Sequence, residues 1–154
     1  MKIGSKLAQV IVAAGLAIAP VPAMAVDSTP PTPMDSDHAA GRNAIEARDW
    51  NSAIKSLSAA ERSDSRNADV QNLLGYAYRN SGQLDLAFKH YQRALQLDPR
   101  HLGAHEYIGE AYLMANNLAK AEEHFARLKS LCSRVCDERD DLGKKIAEYR
   151  ARSR

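Results

Sequence analysis

Asn72-Leu73-Leu74-Gly75-Tyr76-Ala77-Tyr78 is matched without a gap, 34 residues downstream, by Glu106-Tyr107-Ile108-Gly109-Glu110-Ala111-Tyr112. The register continues, with Leu84, Ala87 and Tyr91 falling on Leu118, Ala121 and Phe125. Stepping back by the same period from Gly75 and Ala87 reaches Gly41 and Ala53, with Trp50 in the place of Leu84. A fixed period of this size marks a stacked array in which each unit is one supersecondary element. Three units begin near Met34, Ala68 and Leu102, which places repeats at about 34–67, 68–101 and 102–135.

Each unit reads as a helix, a turn and a second helix. In the middle unit, Leu73, Leu74, Ala77 and Tyr78 share one face at helical spacing, and Ser81-Gly82 breaks the pattern. Leu84 to Leu97 makes the second helix, buried through Leu84, Ala87, Phe88, Tyr91, Ala94 and Leu95, and Asp98-Pro99 ends it. Gly75, Ala87 and Ala94 recur because two helices that cross closely need positions without bulk. One such pair cannot bury its apolar faces, whereas stacked pairs bury a continuous core.

This pattern resembles the tetratricopeptide repeat (TPR) family, whose signature is W-x2-L-G-x2-Y followed by A, F, A and P. The middle unit supplies Leu74, Gly75, Tyr78, Ala87, Tyr91, Ala94 and Pro99, with Gln71 where the signature has Trp. The third supplies Ile108, Gly109, Tyr112, Ala121 and Phe125, with His105, Leu128 and Ser133 at the remaining sites. The first is degenerate: it keeps Gly41, Ala53 and Ala60, has Leu57 in the aromatic slot, and departs at Asp37, Ala40, Ala44 and Ser65. The resemblance implies an all-α fold, a right-handed α-α superhelix of three helix-turn-helix repeats plus a C-terminal capping helix. Residues 137–152 fit that cap, with Leu142, Ile146 and Tyr149 inward and Asp140, Lys144, Lys145, Glu148 and Arg152 on a charged outer face.

The expected repeat domain, 37–152, is preceded by two segments of other character. Met1 to Ala25 reads as a signal peptide: Lys2 and Lys6, an apolar run from Leu7 to Ala19, then Ala23-Met24-Ala25 for cleavage after Ala25. The run covers roughly 20 Å as a helix, short of a bilayer core of about 30 Å, so no stable membrane insertion is expected once it is cleaved. Residues 26–36, with three prolines and no apolar periodicity, read as a flexible linker. The chain of 154 residues has 21 basic and 19 acidic side chains, and the excess is those two lysines; the rest is neutral at 19 against 19. That balance gives no case for a nucleic-acid partner. A periplasmic or secreted, nearly neutral protein is expected.

Cys132 and Cys136 are the only cysteines. In an exported chain a close even pair reads first as a disulfide, on condition that the helix turns between them, because residues four apart on an unbroken helix hold their Cβ atoms too far apart. Thiol redox chemistry and metal handling through the same pair are the alternatives, with His124 as a further candidate ligand. His101, His105 and Glu106 also invite a metal reading, although His105 occupies a packing slot. G-x-S-x-G, H-E-x-x-H, the phosphate loop and G-x-G-x-x-G are absent, so neither catalysis nor a cofactor is expected.

The resemblance implies that the first helix of each pair lines a concave groove that takes a peptide or protein partner. The family's binding positions fall on Asp35, His38, Arg42, Ile45 and Glu46, then Asp69, Asn72, Tyr76, Arg79 and Asn80, then Gly103, Glu106, Glu110, Leu113 and Met114. Arg42, Asn72, Tyr76, Arg79, Asn80, Glu106, Glu110 and Met114 are the leading contacts, with Tyr76, Leu113 and Met114 as apolar anchors. Domains of this family that clamp a chaperone's C-terminal carboxylate use Lys and Asn, then Asn, then Lys and Arg. Here those positions hold His38, Arg42, Leu73, Gly103 and Tyr107, so that clamp is absent.

Overall fold

The computed structural model describes residues 32–152, so the expected signal peptide and most of the linker lie outside the described residues. The described residues form seven helices and no strand: α1 (Pro33–Glu46), α2 (Trp50–Ser63), α3 (Ala68–Asn80), α4 (Leu84–Leu97), α5 (Leu102–Met114), α6 (Leu118–Leu131) and α7 (Asp137–Arg152). The pairs α1–α2, α3–α4 and α5–α6 pack within themselves, each pair stacks on the next, and α7 lies on α5 and α6. This is an all-α helical-repeat solenoid, and its degenerate first repeat is a complete helix pair.

The caps explain the boundaries. Asp49, Asn67 and Asn117 each accept a hydrogen bond from a backbone N–H three residues on, at 3.0–3.1 Å. His101 does the same through Nδ1, from Ala104 at 3.1 Å. At the start the structure corrects the linker boundary, because residues 33–36 form the first turn of α1. Thr32 Oγ1 accepts from the Asp35 N–H at 3.2 Å, and the Asp35 carboxylate accepts from the Thr32 N–H at 3.3 Å. Pro33 sits at the first helical position, where its missing N–H costs nothing. A proline count alone cannot distinguish such a helix start from a linker.

The turn inside each repeat uses one left-handed residue: Arg48 (φ 57°), Gly82 (φ 82°) and Asn116 (φ 56°), spaced by the repeat period. Three core clusters sit at the three joints. Leu57, Ala60, Val70 and Leu74 join the first repeat to the second, and Ala87, Tyr91, Ile108 and Ala111 join the second to the third. Leu113, Ala121, Leu128, Leu142 and Ile146 join the third repeat to α7. The recurring glycines are where helices touch: a Cβ on Gly41 would stand 2.5 Å from Leu57, and one on Gly75 would stand 2.5 Å from the Tyr91 ring.

The end of the array is built as an unfinished repeat. Gly143 lies one further period beyond Gly109, and a Cβ there would come within 2.9 Å of Phe125. Leu142 falls in the register of Leu74 and Ile108 and is equally buried. Helix α7 therefore stands in the place of a fourth first-helix. Leu128, which departs from the repeat's usual Ala, fills the space against Leu142 and Ile146. The chain leaves helical geometry between Leu131 and Asp137, and Cys132 faces Cys136 across that corner with Cα atoms 5.9 Å apart.

Candidate functional site

The first helices α3 and α5, with α7 behind them, enclose a cavity of about 530 Å³ lined by Tyr76, Arg79, Asn80, Glu106, Tyr107, Glu110, Met114 and Lys145. Six of the eight leading groove residues thus converge on one site. The other two, Arg42 and Asn72, line a separate depression of about 310 Å³ with Ile45, Glu46, Asp69 and Leu73. Residues four apart on one helix, such as Glu106 and Glu110, or Tyr76 and Asn80, project to the same side.

Aromatic rings form the wall of the site. The Tyr76 and Tyr107 centroids are 4.9 Å apart, and Trp50 meets Tyr76 edge-on at 6.1 Å. The Arg79 guanidinium lies 5.3 Å from the Tyr76 ring centroid and 5.5 Å from that of Tyr107, and Nη1 donates to Glu110 Oε2. Arg79 is 8% exposed, so in the unliganded groove it ties α3 to α5 and is not a free contact. Burial, with help from Glu106 and Tyr76, pushes the Tyr107 hydroxyl up to about 12.

Glu106 has no comparable partner. It is 8% exposed, and among the described residues its carboxylate forms no ion pair. Burial and the carboxylates of Glu110, Asp141 and Glu138 push its pKa up to about 8, against a smaller opposing pull from Arg79.

The remaining positions divide. Met114 is 56% exposed at the rim, whereas Leu113 is buried in the core cluster at α7. Asp35 is spent on the α1 cap, and Gly103 faces Asn72, whose Nδ2 would lie 3.2 Å from an added Cβ. Two residues of the cavity escaped the sequence reading. Tyr107 entered only as a position of the absent carboxylate clamp, not as a contact of this groove. Lys145 was assigned to the outer face of the cap; the signal that could have found it is the period itself, which carries α7 into the register of a first helix.

The histidines do not converge on a metal. The His101 Nε2–H donates to Asp69 Oδ1 at 3.1 Å. His105 turns inward to the Pro99 carbonyl at 3.1 Å and to His124 at 2.9 Å. Among the described residues no three His, Cys, Asp or Glu side chains gather as a metal site.

Comparison with known proteins gives the same picture. Two tetratricopeptide repeat family models match, over residues 38–101 and 81–130. No functionally curated protein matches the sequence. Among solved structures, the TPR2B domain of yeast Sti1 in complex with an Hsp70 peptide superposes with a TM-score of 0.72 at 14% identity, covering 80% of this chain and 100% of that one. The translocator chaperone SycD of Yersinia enterocolitica gives 0.70 at 17%, covering 78% and 85%. PcrH in complex with the chaperone-binding region of PopD gives 0.69 at 21%, covering 79% and 93%. What is shared at these identities is the fold. With a 34-residue register, paired helices and matching family models over most of its described length, the chain belongs to the tetratricopeptide repeat family.

Proposed function

We propose that this protein is a non-catalytic interaction module that holds a peptide segment or protein partner in its concave groove. The observation that carries this reading is the convergence of Tyr76, Asn80, Glu106, Glu110 and Met114 on one cavity walled by Tyr107. Paired aromatics beside polar groups are the composition of a recognition hot spot. The solved relatives with bound Hsp70 peptide or PopD segment support it by analogy of fold. The test is capture from a periplasmic extract with Tyr76→Ala/Asn80→Ala, which leaves the Arg79–Glu110 tie in place. Loss of capture by a folded double variant supports the groove, and undiminished capture places the partner elsewhere.

The proposal includes export, with cleavage after Ala25, and a cystine between Cys132 and Cys136 that sets the corner between α6 and α7. The Lys2/Lys6 charge, the apolar run and Ala23-Met24-Ala25 support export, and the close approach of the two cysteines supports the cystine. Intact mass of the exported protein and thiol titration under denaturing conditions test both. A retained leader or two free thiols would count against them.

A further inference from the structure

We infer that the cavity between α3, α5 and α7 receives the positively charged end of a Lys or Arg side chain of the partner, set against Glu106. The inference rests on the groove reading above and names the chemistry that the groove selects.

A carboxylate taken out of water needs a counter-charge or a full set of donors. Glu106 is nine-tenths buried, lines the cavity, and among the described residues forms no ion pair, with only the weaker pull of Arg79 against its burial. Neither of the two cations lining the cavity forms an ion pair with Glu106. Arg79 donates to Glu110 and is flanked by Tyr76 and Tyr107, while Lys145 is about half exposed and lies 3.9 Å from Glu148. From α7, Asp141 and Glu138 add negative field at Glu106. The occupant that relieves this arrangement is a cation, and the faces of Tyr76 and Tyr107 favour one as well. An acidic peptide end would instead meet the carboxyl groups of Glu106 and Glu110.

The proton on Glu106 gives the site a second signature. Its carboxyl is held up to about 8 by burial and by Glu110, Asp141 and Glu138, with Arg79 opposing. An arriving ammonium or guanidinium favours the ionised form, so binding expels that proton. Affinity then rises with pH until Glu106 is ionised in the free protein too.

The experiment uses the purified protein and four short peptides, identical except for a central Lys, Arg, norleucine or Glu. Affinities come from fluorescence anisotropy and location from backbone amide shifts. The Lys and Arg peptides are expected to bind about tenfold tighter than the other two, the worth of a charge-assisted contact. The Lys peptide is expected to gain several-fold from about pH 6 to pH 8, where its own amine stays charged. Glu106→Gln, which cannot ionise and keeps the shape, is expected to fold and to lose both effects; Lys120→Ala, an exposed residue of α6 outside the cavity lining, keeps both. Equal affinity for all four peptides in the groove, or a preference that survives Glu106→Gln, overturns this inference and leaves the groove reading standing. Shifts confined to other faces overturn both, and absence of binding by any peptide overturns this one.

Discussion

The Nδ1 atoms of His105 and His124 lie 2.9 Å apart inside the third repeat, and the roles of both rings follow from their neighbours. The Pro99 carbonyl can only accept, so His105 carries its proton on Nε2 and offers Nδ1 to the His124 N–H. Both rings are held neutral. Burial lowers the His105 pKa, and burial followed by His105 itself pushes His124 down to about 4. The unfolded chain takes up these protons near pH 6.5. Stability is therefore expected to fall as pH drops from about 6.5 towards 4, because the unfolded state binds more protons there. Urea denaturation across that range checks it. His124→Gln, which can still donate to His105, is expected to flatten the slope, and an unchanged slope would show that the pair is not its source.

Glu106 acts in the opposite sense. Its folded-state pKa of about 8 lies above the ordinary carboxyl value, so the folded state holds a proton that the unfolded chain releases. The contribution is complete below about pH 4.5 and is lost as pH rises through 8. Glu106→Gln is expected to raise the melting temperature at pH 8 and to leave it unchanged at pH 4. A variant less stable at pH 8 would mean that the carboxylate has a partner.

Gly75→Ala is expected to destabilise the protein by about 2 kcal/mol or more, since its Cβ would meet the mid-ring atoms of the fully buried Tyr91. Gly82→Ala has open space around it and only the backbone to offend, so a loss of about 1 kcal/mol is expected. Arg48, in the equivalent left-handed position, should gain by a similar amount as Arg48→Gly. Chemical denaturation ranks the three, and the decisive feature is the opposite sign of the two turn variants.

Leu142→Ala is expected to cost about 3 kcal/mol, because Leu142 is fully buried and closes the last joint. Reduction of the proposed Cys132–Cys136 cystine is expected to cost less, about 2 kcal/mol on chain-entropy grounds for so short a loop. Hydrogen exchange should show the loss of protection concentrated in α7 in both cases. Uniform loss across all seven helices would indicate that the array melts as one unit.

The helices were legible in the sequence because two signals agree, the 34-residue spacing of Gly41, Gly75 and Gly109 and the breaks at Ser81-Gly82 and Asp98-Pro99. Tyr76, Asn80, Glu106, Glu110 and Met114 were named through the resemblance, whose binding positions recur at fixed places on the first helices, and all five line the one cavity. What lay hidden depends on contacts distant in sequence. Gln71 and His105 both replace the repeat's Trp, and nothing in either position announces that a polar relay takes its place. In the second repeat Gln71 bonds Glu61 and His90, each at 2.8 Å, and Tyr78 stacks on His90. In the third, His105 meets His124, and Tyr112 stacks on His124. His90 and His124 are themselves one period apart, so the substitution repeats as a set. Arg79 was expected at the surface of the groove; its burial follows from Glu110 on the next repeat, which no single-repeat reading includes.

The register that runs from Gly41 to Gly143 also makes groove length an editable quantity. Excising residues 68–101 would bring α5 onto α2 in place of α3, presenting Ala104 and Ile108 where Val70 and Leu74 now pack. Duplicating the same block would lengthen the concave face by one helix pair and set α4 against a second copy of α3, presenting Val70 and Leu74 in the register of Ala104 and Ile108. Because α7 already occupies the place of a next first-helix, neither edit disturbs the terminus. Partner size could then be matched by cutting or copying whole units of chain.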